Sequence, residues 1–139
     1  MRNLIKIFSL VLMLSVFASC EKETKIYEGE PQVQFSLATY TFTITSTTTS
    51  ISIPVQLIAN APQAASIVTV AVDATKTTCA SAVTVPVSCT IAAGKYQVIL
   101  PVTVNYANLA TGNNTLVLNI SSALPVAKYY KTATITLKK

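Results

Sequence analysis

The segment YQVILPVTVNY, Tyr96 to Tyr106, alternates its residues with a period of two. Val98, Leu100, Val102 and Val104 fall on one face of an extended chain. Successive side chains of a β-strand point to opposite sides, so this valine-rich pattern reads as a strand with one buried face. A helix would need apolar residues three and four apart instead.

The same pattern recurs on both sides of it. SISIPVQLIA (Ser50 to Ala59) aligns Ile51, Ile53, Val55 and Leu57, and SIVTVAVD (Ser66 to Asp73) aligns Val68, Val70 and Val72. VQFSL (Val33 to Leu37) aligns Val33, Phe35 and Leu37, and YTFTIT (Tyr40 to Thr45) turns Tyr40, Phe42 and Ile44 inward with threonines outward. VTVPV and SCTI fill residues 83–91. TLVLNIS (Thr115 to Ser121) and TATITL (Thr132 to Leu137) complete the series. The breaks STTTS, NAPQ, AAGK, ATGNN and ALP carry turn chemistry.

Each run has one apolar face, and two sheets must pair to bury such faces. The expected fold is therefore all-β, an immunoglobulin-like antiparallel β-sandwich of about seven to eight strands. A closed barrel is the alternative; only three glycines and two mid-strand prolines favour the open sandwich. Pro54 lacks a ladder donor, which predicts an edge strand or a bulge there, and Pro86 breaks one ladder bond. Gly94 follows a strand end, which predicts a tight turn with positive φ.

The first nineteen residues have another character. Arg2 and Lys6 precede a 12-residue uncharged apolar segment, Ile7 to Ala18. That is the layout of an export signal, and it is short of the roughly 20 residues that cross a bilayer. FASC, Phe17 to Cys20, resembles the lipobox of bacterial lipoproteins, with Phe17 where leucine is common. The resemblance implies a lipid on the Cys20 sulfur and cleavage before it. The expected organisation is a signal peptide over 1–19, a lipidated tether over 20–31 and a sandwich over 32–139. The EKE after Cys20 resembles the charged signal that sends some Bacteroidetes lipoproteins to the outer face of the outer membrane; a solvated spacer is the other reading. The expected location is the outer membrane, anchored through Cys20.

With Cys20 used as an anchor, Cys79 and Cys89 remain, in a disulfide-permissive setting. They either form a bond or sit as two small buried thiols. A bond requires the chain between them to reverse, because ten extended steps separate Cα atoms by roughly 33 Å and a disulfide needs about 4.4–6.8 Å.

The charge map and the missing residue types exclude most function classes. Residues 31–139 hold six lysines, no arginine and one acidic residue, Asp73. Scattered lysines without arginine or interleaved aromatics argue against nucleic acid. There is no histidine, so triad and Cys-His schemes lack their base. One carboxylate is too few for glycoside hydrolysis or a calcium site, and no zinc ligand set is present. The chain is expected to be no enzyme and to use no metal or cofactor.

SIPVQLIANAPQAASIVTVAVD, followed by TIAAGKYQVILPVTVNYANLATGNNTLVLNI, resembles the Calx-beta-like, immunoglobulin-like modules of Bacteroidetes surface lipoproteins. The matching positions are Val55 and Leu57, Val68 to Asp73, Thr90 to Gly94, Leu100 to Val104 and Leu116 to Ile120. The resemblance implies a binding or spacer module, often associated with polysaccharide uptake. Calcium binding does not carry over, because the acidic loop clusters are missing.

Without tryptophan, tyrosines are the candidates for stacking on sugar. Tyr106 and Asn108 end the longest strand, and Tyr129 and Tyr130 precede the last one. The alternative is ordinary tyrosines at strand ends with wet hydroxyls. The expected function is a lipid-anchored, non-catalytic binding or adhesion module for polysaccharide or an envelope protein. A structural subunit of a larger envelope assembly, with no ligand of its own, is the competing expectation.

Overall fold

The computed structural model describes residues 27–139, so the expected signal segment and Cys20 lie outside the described residues. Among the described residues nine strands form: β1 (Gln32–Phe35), β2 (Thr39–Thr43), β3 (Ser50–Ile58), β4 (Ser66–Val72), β5 (Val83–Thr84), β6 (Ser88–Ile91), β7 (Gln97–Val104), β8 (Asn113–Ser122) and β9 (Thr132–Lys138). One sheet has the order β1-β3-β7-β5, and the other β2-β9-β8-β4-β6. All pairings are antiparallel except β2 with β9, which is parallel.

The period-two pattern sets which atoms meet between the sheets. Ile53, Val55, Leu100 and Val102 of the first sheet are fully buried, as are Val68, Leu116, Leu118, Ile135 and Leu137 of the second. Burying a side chain of this size contributes about 1.5–3 kcal/mol. β-branched residues suit these positions because their stiff side chains pack well on a pleated surface.

Two segments cross from one sheet to the other and close the flanks. β1 lies on β3, then the chain turns at Ser36–Ala38 and β2 joins β9. β5 lies on β7, and after Pro86 the same extended segment continues as β6 on β4. Pro86 falls where the chain belongs to neither sheet, so its missing N–H costs no ladder bond. The outer edge of β1 is covered as well: Val33 and Phe35 donate to the carbonyls of Pro125 and Tyr130 (both 2.9 Å), and Ala127 donates back to Val33 (3.0 Å).

Pro54 departs from expectation. It sits in β3, between β1 and β7, with neither an edge position nor a bulge. Leu57 N–H and Val104 N–H mark the bonded pairs of the β3–β7 ladder, so odd-numbered residues of β3 face β7 and even-numbered ones face β1. β1 ends at Phe35, one residue short of needing a donor from Pro54, whose carbonyl still accepts from Ser36 (3.1 Å). Leu37 also departs: it is exposed, because β1 stops and the chain crosses between sheets there. Val72 is exposed because β6 flanks β4 only over Ser66–Thr69. Gly94 has φ of +71°, as its turn requires.

Candidate binding site

At the end of β7 the chain leaves the sheet through a short 3-10 turn, Tyr106–Asn108. Asn105 starts it: its Oδ1 accepts from Ala107 N–H at 3.1 Å. An asparagine there can satisfy the turn's first donor, which a valine could not. Asn108 Nδ2 donates to Ser81 O at 3.2 Å and Asn105 N–H to Ala82 O at 2.8 Å, fixing the turn to the neighbouring Ala80–Ala82 turn. Leu109 is buried behind it.

This anchoring places Tyr106 on the wall of a cleft of about 510 Å³. Ser46, Thr48 and Thr49 from the β2–β3 loop line it, with Thr103, Val104, Asn105 and Ala107. Lys139 stands at its rim: its Nζ lies 4.4 Å from the Tyr106 ring centre and donates to Leu109 O at 2.8 Å. Such an ammonium on a ring face holds the ring in place. The lining offers the exposed part of one tyrosine ring, hydroxyls and an amide, and no carboxylate. It can contact and hydrogen-bond to an uncharged polyol, and it gathers no metal ligand set.

The four polar candidates do not meet. Tyr106 and Asn108 lie beyond the end of β9, beside Lys139. Tyr129 and Tyr130 precede its start, so the length of a seven-residue strand, roughly 23 Å, separates the pairs. Tyr129 is 79% exposed, with Lys128 Nζ 5.8 Å from its ring centre; Tyr130 gives its carbonyl to the β1 edge. The Ser46–Thr49 wall was not visible in the sequence as part of a site, because it lies more than fifty residues from Tyr106 and reads as a plain turn.

Of the two readings of Cys79 and Cys89, the structure has the pair of free thiols. Cys79 Sγ lies 3.4 Å from Thr115 O near the start of β8, whereas Cys89 pairs with Val68, which lies opposite Ser122 near the end of β8. Seven residues of β8, roughly 23 Å, lie between those points. The chain between the cysteines crosses from one sheet to the other and does not fold back. Burial pushes both thiols above the usual thiol range. Asp73 is also structural. Thr75 donates its hydroxyl at 2.7 Å and its N–H at 3.1 Å to the carboxylate, and the hydroxyl bond is the main reason its pKa is lowered. Among the described residues no three His, Cys, Asp or Glu side chains gather as a metal site would need.

A second cleft, of about 580 Å³, lies on the other sheet at the opposite end of the sandwich. Ala64, Ala65, Ile67, Ala123 and Leu124 line it with serines and Thr69. It lacks an aromatic ring.

No protein-family model matches the chain, and no curated protein matches it. Solved structures do. A candidate carbohydrate-binding protein from Bacteroides ovatus superposes with a TM-score of 0.62 at 17% identity, over 78% of this chain and 37% of that one. CBD12 from CALX1.2 gives 0.62 at 10% identity, over 77% and 43%. The apo-form Calx CBD1 domain gives 0.63 at 10% identity, over 79% and 97%. The chain thus spans less than half of the first two and nearly all of the third. The fold is the Calx-beta-like β-sandwich.

Proposed function

We propose that this chain is a non-catalytic binding module of the cell envelope, anchored in the outer membrane through a lipid on Cys20, that takes a neutral glycan in the Tyr106 cleft. The observation that carries the reading is the cleft itself: a held tyrosine ring among hydroxyl and amide side chains, with no carboxylate. The fold shared with a candidate carbohydrate-binding protein supports the ligand class. The position of the cleft supports the anchoring. Gln32, where β1 begins, pairs with Ile58 at one end of β3; the cleft lies at the other end, roughly 30 Å away along a nine-residue strand. A leash from Cys20 then presents the cleft away from the membrane.

Glycan-array binding of the intact chain and of Tyr106→Ala tests the ligand. The variant should lose the signal, and equal signals refute the cleft. Labelling with a fatty-acid analogue tests the anchor: Cys20→Ala should abolish it. A second reading, a structural subunit of a polysaccharide-uptake assembly, draws on the aliphatic cleft around Ile67 and Leu124. One stoichiometric protein partner from native membranes, with silence on the array, would favour it.

A further inference from the structure

The outer face of the β1-β3-β7-β5 sheet meets the Tyr106 cleft at Thr103. None of its four strands carries a charged residue. The register lays its outward side chains in rows across β3 and β7: Ser50 beside Thr103, Ser52 beside Pro101, Pro54 beside Ile99, and Gln56 beside Gln97. β1 extends the last row, because Gln34 pairs with Gln56. Three glutamines thus stand side by side on adjacent strands, about 10 Å across. Thr103, at the head of the face, also lines the cleft.

From this continuity we infer that the face is an extended binding track for a linear, neutral polysaccharide. The inference rests on the glycan reading above and adds to it a chain-shaped ligand and a second contact zone. The Thr103 and Gln97 rows are six residues apart, roughly 20 Å, enough for several sugar units of an extended glycan. Each part of the track has a matching chemistry. Glutamine amides carry both donors and an acceptor for sugar hydroxyls. Pro54, Pro101 and Ile99, the last 44% exposed, offer low apolar relief for the C–H faces of the rings. A charged polymer would find no counter-ion on any of the four strands, and Lys139 at the cleft rim is already engaged by the Tyr106 ring and Leu109 O, so the track favours uncharged chains.

Calorimetric titration of the intact chain with neutral malto-, xylo- and manno-oligosaccharides, from disaccharide to hexasaccharide, tests this. Affinity should rise with length for at least one series. The Gln56→Ala/Gln97→Ala double variant should bind the hexasaccharide about tenfold more weakly, the loss expected of two hydrogen-bonding amides, and the disaccharide as before. Both glutamines point away from the core, so the variant should keep its unfolding midpoint. Tyr106→Ala should weaken every length. A length-independent affinity, or a double variant that matches the parent on the hexasaccharide, overturns the track and leaves the cleft standing. Unchanged binding by Tyr106→Ala, with the glutamine effect intact, overturns the cleft alone. Failure of all three neutral series, or preference for an anionic glycan, overturns both.

Discussion

Asn114 is the buried polar residue among the described residues, 3% exposed at the start of β8, and it holds the loop that follows the Tyr106 turn. Its Oδ1 accepts from Ala110 N–H at 3.1 Å. Its Nδ2 donates to Ala110 O at 2.9 Å and reaches Leu137 O at 3.3 Å and Gly112 O at 3.4 Å. Asn114→Ala removes all of these and leaves Ala110 N–H without its partner, while Leu137 O keeps the ladder bond to the backbone of residue 114. A net bond contributes about 1 kcal/mol, and an orphaned buried group costs about 1–3 kcal/mol. The two long contacts add little and the loop carbonyls can rehydrate, so the expected loss is about 2–3 kcal/mol. For a domain of this size that lowers Tm by roughly 10–15 °C. Urea unfolding should show a lower midpoint with an unchanged m-value, because the folded core is the same. Asn114→Asp should be worse at neutral pH, since a carboxylate would face three carbonyl oxygens in a buried place. That variant should recover as pH falls, because protonation restores a donor and removes the charge. A loss below about 0.5 kcal/mol for Asn114→Ala, the size of an ordinary surface change, would refute the claim that this side chain organises the loop. So would an Asn114→Asp variant indifferent to pH.

Ser36→Ala should raise stability by about 1 kcal/mol, because Ser36 Oγ is buried without a partner; equilibrium unfolding measures it. The described residues contain no histidine, so the urea midpoint should be flat between about pH 5 and pH 8. Above about pH 8.5 it should fall. Cys79 and Cys89 have raised folded pKa values through burial, so the unfolded chain ionises first and is favoured as pH rises. Asp73 acts in the opposite direction. Its lowered pKa, due first to the Thr75 hydroxyl, adds stability above the ordinary aspartate value and loses it as pH falls through the folded value. A midpoint that moves between pH 5.5 and 7.5 would contradict this assignment. Alkylation without reductant should modify both Cys79 and Cys89 in the unfolded chain, and half-buried Cys89 before buried Cys79 in the folded one. A mass lower by two protons, with neither thiol reactive, would show a bond that the fold keeps apart.

The sandwich was legible because alternation is a local signal. Ile51, Ile53, Val55 and Leu57 declare a buried face without knowing what covers it. Which sheet a strand joins was not legible: β1 and β2, or β5 and β6, show the same alternation in either sheet. Pro54 misled for a related reason. Its missing donor matters only on one side of β3, and the side is set by the register with β7 and by where β1 stops. The choice between a disulfide and two thiols was not legible, since nearness in sequence said nothing of the sheet crossing between Cys79 and Cys89. Tyr106 could be singled out from composition, because a chain without tryptophan has few rings to offer. Its hydroxyl-bearing opposite wall, and the support from Asn114, could not, since ATGNN reads as a generic turn and its buried amide is defined by Leu137 across the sheet.

The parallel pairing of β2 with β9 has a mechanical meaning. Thr39–Thr43 runs beside Thr134–Lys138 in the same direction, so the first and last strands of this sheet point their free ends opposite ways. A pull between Tyr27 and Lys139 acts first on β1, which lies on β3 in the other sheet, and once β1 yields it slides β2 along β9 instead of peeling the two apart. The ladder bonds of the pair share the load and must yield together. Grasped at its two ends, the domain would resist tearing at that pair as a shear joint does, after β1, with its buried Val33 and Phe35, has come away.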